Sequence, residues 1–265
     1  MKSNENNSKY HLTFKNFTDL SLSDSLNKIR GNELISDLNE LKESYIIFGN
    51  YSKDNLSLNK TDFNFLSHYK NGNIKNTINQ SKKVIMNYFK KFNKPKINMT
   101  YTILFTNSTS FSAIDSGFFT KNPDIRFIAH ELFHLWQKDT NDCKNRLLYK
   151  EGLAAYLEYL SLYELGYVNL TEFEKEFDKR RKLLSEVNQS LFFRKNNLDE
   201  FRKENPNHYA YFIYYKGSLI WKQIDQENNI SVLFNNLIKT NNCSRIDKLI
   251  NEKENILYNK IYKDS

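Results

Sequence analysis

One nine-residue segment, IAHELFHLW, constrains this chain more than any other part of its sequence. It places His130 and His134 four positions apart, and residues at this spacing on a helix lie on the same face, one turn apart. Apolar residues surround the pair at helical spacing: Ile125, Ile128, Leu132, Leu135 and Trp136. The segment is therefore predicted to form a largely buried helix that presents two imidazoles together. Buried imidazoles require polar partners.

Two histidines on one helical face, with Glu131 directly after the first, form the His-Glu-x-x-His pattern of zinc sites. Glu131 is rotated by about 100° from His130, so its carboxylate lies near a metal-bound water without being a metal ligand. Zinc lowers the pKa of such a water, and the carboxylate can take its proton. We therefore predict one zinc ion (Zn2+) bound by His130 and His134, with Glu131 as the general base.

A catalytic zinc ion takes a third protein ligand and keeps one position open. A further histidine downstream is excluded, because Gln137 and Thr140 occupy the positions where that pattern has Gly and His. Asp139 or Asp142 at the helix end remains an alternative. Glu151 on the next helix is favoured, because small residues beside it let two helices approach closely. Those small residues are Gly152, Ala154 and Ala155.

A second carboxylate, Glu158, lies two turns beyond Glu151 on the same face of that helix. It is a candidate acceptor for the second ring nitrogen of a ligand histidine, a contact that orients the imidazole. An ordinary surface charge is the alternative interpretation.

These segments resemble the aminopeptidase N family of zinc peptidases, whose third ligand is a Glu on the helix after the zinc-binding one. HELFHLW is similar to that family's zinc helix, KEGLAAYLE to its Asn-Glu-Gly-Phe-Ala block, and YYKG at 214–217 to its Tyr-x-Lys-Gly signature. The resemblance extends over residues 45–222. It implies a thermolysin-like catalytic domain and gives Tyr214 the role of stabilising the tetrahedral intermediate.

The sequence also departs from the family's pattern. The spacer between His134 and Glu151 is shorter than is usual in the family. The segment SAIDS at 112–116 stands where the family has its Gly-Ala-Met-Glu-Asn exopeptidase motif. The resemblance implies that Asp115 replaces the Glu that pairs with the substrate's α-amino group. Ala113 of the same segment is the other predicted substrate-binding residue.

The pattern along the chain predicts an α+β fold, a small twisted mixed sheet packed on helices and followed by a helical C-terminal part. The strand candidates are YHLTF, YIIFGNY, FNFL, Ile97 to Thr106 and FSAIDSGFF. Helices are predicted over 74–92, 122–139, 146–165, from a Thr171/Glu174 capping box onward, and over 206–226, 230–239 and 244–262. We divide the chain into a strand-rich segment 1–70, a catalytic core 71–226 and C-terminal helices 227–265, together one compact unit.

Composition excludes several classes of protein. The net charge is +8, but the lysines are spread along the chain without a long block, which argues against a nucleic-acid partner. Cys143 and Cys243 are far apart in sequence and show neither the spacing of a zinc knuckle nor a disulfide framework, so two free thiols are expected. No long apolar run and no signal-peptide pattern occurs, so we expect no membrane span and a cytoplasmic location.

Together these observations predict a zinc metallopeptidase that acts on peptide or protein substrates, with aminopeptidase activity favoured. An open-cleft endopeptidase with the same zinc site is the first alternative, and a non-catalytic zinc-containing binding module is the second. In either enzyme the substrate is expected to pair, as an extended strand, with an edge strand beside the zinc-binding helix.

Overall fold

The protein's computed structural model describes residues 9–13, 21–24, 33–37, 46–49, 51–67, 72–92, 95, 100–106, 111–113, 117–120, 124–137, 143–189, 192–193, 198–240 and 243–263. Over these residues the class is mixed α+β, as predicted. The chain divides into two compact units, one formed by 1–82 with 97–125 and the other by 83–96 with 126–265. The division into 1–70, 71–226 and 227–265 stays a prediction.

The strands of the described residues belong to the first unit. They are β1 Lys9–Thr13, β2 Ser21–Asp24, β3 Glu33–Asp37, β4 Ile46–Gly49, β5 Ser52–Leu58, β6 Thr61–Ser67, β7 Thr100–Phe105, β8 Phe111–Ala113 and β9 Gly117–Thr120. A five-stranded sheet has the order β5-β6-β7-β9-β8, while β1 pairs with β3 and β2 with β4. The five-stranded sheet is mixed, since β6, β7 and β9 are parallel and both edge strands are antiparallel.

Strands β6 and β7, inside the sheet, are buried on both faces. Phe63 and Phe65 of β6 and Ile103 of β7 lie on one face, and Leu66 and Leu104 lie on the other, so strand alternation does not separate buried from exposed residues here. The hairpin between β5 and β6 turns through residues 59–60, which both have positive φ angles, as a tight two-residue turn requires. The strand predicted over Ile97 to Thr106 is confirmed at Thr100–Phe105.

Helices make up the second unit. Helix α1, Gly72–Lys91, begins in the first unit and ends in the second. The other α-helices are α2 Ile125–Phe133, α3 Leu153–Glu164, α4 Leu170–Ser185, α5 Leu198–Glu204, α6 Pro206–Ala210, α7 Gly217–Glu227, α8 Ile230–Thr240 and α9 Cys243–Tyr262. A 3-10 turn, His134–Trp136, follows α2 directly. One π-helical segment, Leu148–Gly152, leads into α3, and a second, Tyr211–Lys216, connects α6 to α7. Among the described helices, none combines the length and the apolarity that crossing a bilayer demands.

An aromatic cluster holds α2 in place. The rings of Phe92, Phe133 and Phe234 lie with centroids 5.1–5.4 Å apart. Tyr88 packs edge-on against Phe133 and Trp136, and its hydroxyl donates to the carbonyl of Ala129 at 3.1 Å. Edge-to-face packing of this kind contributes about 0.5–1.5 kcal/mol per pair beyond simple burial. The buried apolar stripe of the helix is therefore fixed, as its spacing predicts.

Two helix boundaries differ from the prediction. The helix expected to reach Asp139 ends at Trp136, because Gln137 adopts an extended backbone conformation; its predicted start at 122–123 lies outside the described residues. The predicted capping box at Thr171 and Glu174 is wrong: Asn169 caps α4, and Glu172 returns the hydrogen bond. Asn is a stronger N-cap residue than Thr, and the side-chain oxygen of Asn169 accepts a hydrogen bond from the backbone N–H of Glu172. Helix α5 was not predicted.

The expectation of two free thiols is also wrong. Cys143 and Cys243 form a disulfide, with Cα atoms 4.9 Å apart. The prediction failed because a separation of one hundred positions carries no information about distance in the fold. The bridge joins the start of α9 to the residues that precede the π-helical segment at 148–152.

Candidate metal centre

Three predicted ligands converge in the second unit. Oε2 of Glu151 lies 3.2 Å from Nε2 of His130 and 3.5 Å from Nε2 of His134, and the two imidazole rings are 5.0 Å apart. One ligand atom from each residue lies within 4.8 Å of the others. Within the described ranges, no second group of His, Cys, Asp or Glu side chains is placed to hold a metal ion in this way.

These distances fit a zinc ion. Zinc bonds of about 2.0–2.2 Å in tetrahedral geometry put neighbouring ligand atoms about 3.3–3.5 Å apart. The two nitrogen–oxygen distances agree with this value. Two imidazoles and one carboxylate are also the donor set of catalytic zinc sites, in which a fourth position stays open. The residues present therefore fit the ion that the sequence predicts.

The outer nitrogen of each imidazole is held by an acceptor. Nδ1 of His130 lies 3.0 Å from Oε2 of Glu158, which confirms the contact predicted for that carboxylate. Nδ1 of His134 lies 2.6 Å from Oε1 of Gln137. Acceptors at both Nδ1 atoms place a ring proton there, so that each Nε2, once it carries no proton of its own, can bind a metal ion on the side of Glu151.

The orientation of the Gln137 amide is fixed from its other end. Its Nε2 donates to the carbonyls of Tyr149 at 3.1 Å and Lys150 at 2.9 Å, so only its oxygen is left to face His134. In the sequence, Gln137 is informative only as evidence against a third histidine, and no local pattern predicts its contact with His134. The extended backbone at Gln137, which ends the helix, brings the side chain to these carbonyls.

Glu131 and Tyr214 lie beside the cluster. Glu131 is half-buried; burial raises the pKa of its carboxyl, and the charges of His134 and His130 oppose this rise. The ring centroid of Tyr214 is 5.7 Å from that of His130. Burial raises the pKa of Tyr214 well above its usual value, and the nearby Glu151 carboxylate raises it further. Tyr214 therefore keeps its hydroxyl proton at neutral pH and can donate it in a hydrogen bond.

His130 and Glu151 shift each other's pKa in opposite directions. Burial lowers the pKa of His130, but its hydrogen bonds with Glu151 and Glu158 outweigh burial and raise the pKa to about 10. Burial alone would raise the pKa of Glu151, yet His130 and His134 hold it far below its usual range. A divalent cation that binds here must therefore displace the proton of His130.

A glycine contact sets the distance between the helix of Glu151 and the helix of Tyr214. A Cβ atom added to Gly152 would lie 2.6 Å from Cα of Gly217, and one added to Gly217 would lie 2.5 Å from Cα of Gly152. Gly152 is the last residue of the π-helical segment that carries Glu151, and Gly217 directly follows the segment that carries Tyr214. Single π-helical turns inside α-helices are often found at functional sites. Of the small residues expected near Glu151, Gly152 therefore allows the close helix approach.

The remaining candidates cannot be placed relative to this cluster. Asp115, Asp139 and Asp142 lie outside the described residues, and Ala113 is described only as the last backbone position of β8. The predicted substrate-binding role of Asp115 and Ala113, and strand pairing of a substrate with the sheet edge, stay predictions.

Neither a protein-family model nor a curated protein matches the sequence. The fold, however, is similar to that of solved zinc metallopeptidases. The aminopeptidase N family protein from Idiomarina loihiensis aligns with a TM-score of 0.58 and 11% identity, over 91% of this chain and 52% of that chain. An M1 zinc metallopeptidase from Deinococcus radiodurans bound to a Tyr-Ser-Ala substrate aligns with a TM-score of 0.60 and 13% identity, over 96% of this chain and 62% of that one.

A two-domain M1 zinc metallopeptidase bound to L-arginine gives a TM-score of 0.62 at 10% identity, over 94% of this chain and 62% of that one. The chain thus spans between about half and just under two thirds of the length of these structures. At such identities the likeness is one of fold. The fold of this chain is similar to a portion of these M1 zinc metallopeptidase structures.

Proposed function

We propose that this chain is a zinc-dependent peptidase that hydrolyses peptide bonds, with aminopeptidase activity as the favoured form. One observation carries the proposal: Oε2 of Glu151 lies within 3.5 Å of Nε2 of both His130 and His134, while the outer nitrogen of each ring is held by an acceptor. A purely structural site has no need of a neighbouring base such as Glu131, so hydrolysis is favoured over a zinc-containing binding module.

The roles of the side chains follow from their chemistry. When bound, zinc would polarise the scissile carbonyl and acidify a water molecule. Glu131, whose pKa is raised by burial, takes a proton from the attacking water and later gives it to the leaving amine. The Tyr214 hydroxyl donates a hydrogen bond to the oxygen on which negative charge develops. Gln137 and Glu158 hold the two imidazoles in the orientation that binding requires.

The test measures zinc content and peptide turnover for the wild type, Glu131→Gln and Glu151→Ala. Glu131→Gln is expected to keep zinc and lose turnover, because the amide cannot accept the proton of water. Glu151→Ala is expected to lose both, since it removes a ligand from the cluster. A binding module would show stoichiometric zinc without turnover in the wild type. Turnover that survives in Glu131→Gln would refute the assigned base.

The need for a free N-terminus on the substrate distinguishes an aminopeptidase from an endopeptidase. An aminopeptidase needs a free α-amino group, which Asp115 would pair with, so acetylating the N-terminus of a short peptide should abolish cleavage. An open-cleft endopeptidase would cut the blocked and the free peptide at similar rates. Sequencing of the products distinguishes removal of single N-terminal residues from internal cuts.

The predicted cytoplasmic location stays a proposal. The disulfide between Cys143 and Cys243 weighs against it, because reducing compartments keep thiols unpaired. Peptides remain the proposed partners, and the dispersed positive charge gives no reason to add nucleic acid.

A further inference from the structure

A buried arginine lies behind the metal cluster. Arg180, on α4, is only 4% exposed, and four hydrogen bonds leave its guanidinium. Nε donates to Glu176 at 3.0 Å, Nη2 to Oε1 of Glu158 at 3.2 Å, and Nη1 to the Ala155 carbonyl at 3.0 Å and to Oγ of Ser218 at 2.8 Å. These acceptors come from α3, α4 and α7, so one side chain joins three helices.

The two carboxylate oxygens of Glu158 are divided between Arg180 and the metal cluster. Oε1 accepts from the guanidinium at 3.2 Å, and Oε2 faces Nδ1 of His130 at 3.0 Å. Glu158 could rotate about its terminal bond if only one oxygen were held. Because both are held, the carboxylate plane is set, and with it the orientation of the His130 ring.

The surroundings of the guanidinium leave it little freedom. Its Cζ lies 4.8 Å from the ring centroid of Tyr159, 5.3 Å from that of Phe177 and 5.4 Å from that of Tyr215. A planar cation stacks on such rings and reaches several acceptors in a fixed fork, which the point charge of a lysine cannot do. The site therefore selects arginine by shape as well as by charge.

We propose that Arg180 is a positioning residue for the zinc site, which acts on His130 through Glu158. The inference rests on the proposed function in so far as the cluster binds zinc, but it does not require peptide turnover. Removing a partner of this kind from behind a ligand typically weakens metal affinity about 10- to 100-fold. Arg180 is thus expected to contribute to zinc affinity without touching the ion or the substrate.

The experiment measures zinc affinity by competition with a chromophoric chelator, for protein whose far-UV circular dichroism shows it to be folded. Arg180→Met should bind zinc about 10- to 100-fold more weakly than the wild type, and Arg180→Lys about tenfold more weakly. The neighbouring Arg181 is the matched control, because its guanidinium pairs with the exposed Asp178 instead. Arg181→Met should leave zinc affinity unchanged.

A double-mutant cycle separates positioning from a general loss of structure. If Arg180 acts through Glu158, the Arg180→Met/Glu158→Ala protein should bind zinc no more weakly than Glu158→Ala alone. A merely structural arginine would weaken binding by the same factor in both backgrounds. In zinc-loaded protein labelled with 15N-histidine, Arg180→Met should also shift the Nδ1 resonance of His130 and leave that of His134 in place.

The possible outcomes distinguish failure of the role of Arg180 from failure of the proposed function. Wild-type zinc affinity in folded Arg180→Met, or fully additive losses in the cycle, would overturn the role of Arg180 and leave the proposed function standing. If Arg180→Met does not fold, Arg180→Lys decides, and wild-type affinity in it would overturn the inference. A wild type that binds zinc but cleaves no peptide would defeat only the proposed function.

Discussion

At the scale of single residues, the cluster is built in two layers of side chains. His130, His134 and Glu151 face one another, and Glu158 and Gln137 face the outer nitrogens of the rings. The histidine pair and the shared face of Glu151 and Glu158 could be predicted, because spacing within a helix determines which residues share a face. In the sequence, Glu151 is favoured as the third ligand by its small neighbours and by the family resemblance. The role of Gln137 could not be predicted, because it depends on carbonyls more than ten positions away whose location is set by packing.

The role proposed for Tyr214 predicts a specific kinetic defect. Tyr214→Phe removes the hydroxyl donor, so kcat for a peptide substrate should fall about 10²- to 10³-fold while zinc content stays at the wild-type level. Tyr211→Phe is the matched control, since Tyr211 lies on the same π-helical segment and stacks on Tyr215. Equal rates for Tyr214→Phe and the wild type would remove Tyr214 from the mechanism.

The raised pKa of His130 predicts that zinc binding depends on pH. With its pKa raised to about 10, His130 is protonated at neutral pH, and zinc must displace that proton. Zinc affinity should therefore rise with pH, by up to about tenfold per unit between pH 7 and 9, and binding should release about one proton. Titration calorimetry in two buffers of different ionisation enthalpy counts the protons. Binding without proton release would show that His130 is neutral before zinc arrives.

At the scale of secondary structure elements, the position of Glu151 relative to Tyr214 depends on one helix contact. Their two helices touch backbone to backbone at Gly152, the last residue of one π-helical segment, and at Gly217, which directly follows the other. The sequence indicates small residues beside Glu151, but the glycine opposite is some sixty positions away, and only the packing of the two helices pairs them.

Adding a single methyl group at this contact should disturb both stability and the metal site. In Gly152→Ala and Gly217→Ala the new Cβ meets backbone atoms at 2.6 and 2.5 Å, so the helices must separate. We expect a loss of about 1–3 kcal/mol in the free energy of unfolding, together with weaker zinc binding.

Gly166 provides the comparison for this prediction. It has a positive φ of 72° and no heavy atom within 4 Å of an added Cβ, so Gly166→Ala should cost about 1–2 kcal/mol through backbone strain alone. Its zinc affinity should match the wild type. Urea unfolding and chelator competition measure the two quantities, and unchanged zinc affinity in Gly152→Ala and Gly217→Ala would contradict the proposed link between the contact and the site.

At the scale of the whole chain, α9 holds the start of the Glu151 helix in two ways. The disulfide joins Cys143 to Cys243, and the Asp247 carboxylate accepts from the backbone N–H groups of Lys144 and Asn145 at 3.1 and 2.8 Å. Asp247 therefore satisfies amides that a helix start leaves without partners. Helix α9 thus supports the element that carries Glu151, a proposed metal ligand.

Removing the disulfide should lower stability measurably. Cys143→Ser/Cys243→Ser is expected to reduce the free energy of unfolding by about 2–4 kcal/mol, because the cross-link closes a long loop in the unfolded chain. Urea unfolding with and without a reducing agent checks this. The reducing agent should destabilise the wild type but not the double variant. Two thiols titrating in denatured, unreduced wild-type protein would show that the bridge does not form.

Features that depend on neighbours along the chain follow from the amino-acid sequence. These are the α+β class, the histidine pair with its adjacent carboxylate, and the shared face of Glu151 and Glu158, because helical and strand periodicity place such residues within one or two turns. Packing in three dimensions decides which distant groups meet. It pairs Gly152 with Gly217, Arg180 with Glu158 and Cys143 with Cys243, and it brings Glu151, which the sequence only favours among alternatives, to the histidines. Such contacts follow from how helices pack, which no local pattern encodes.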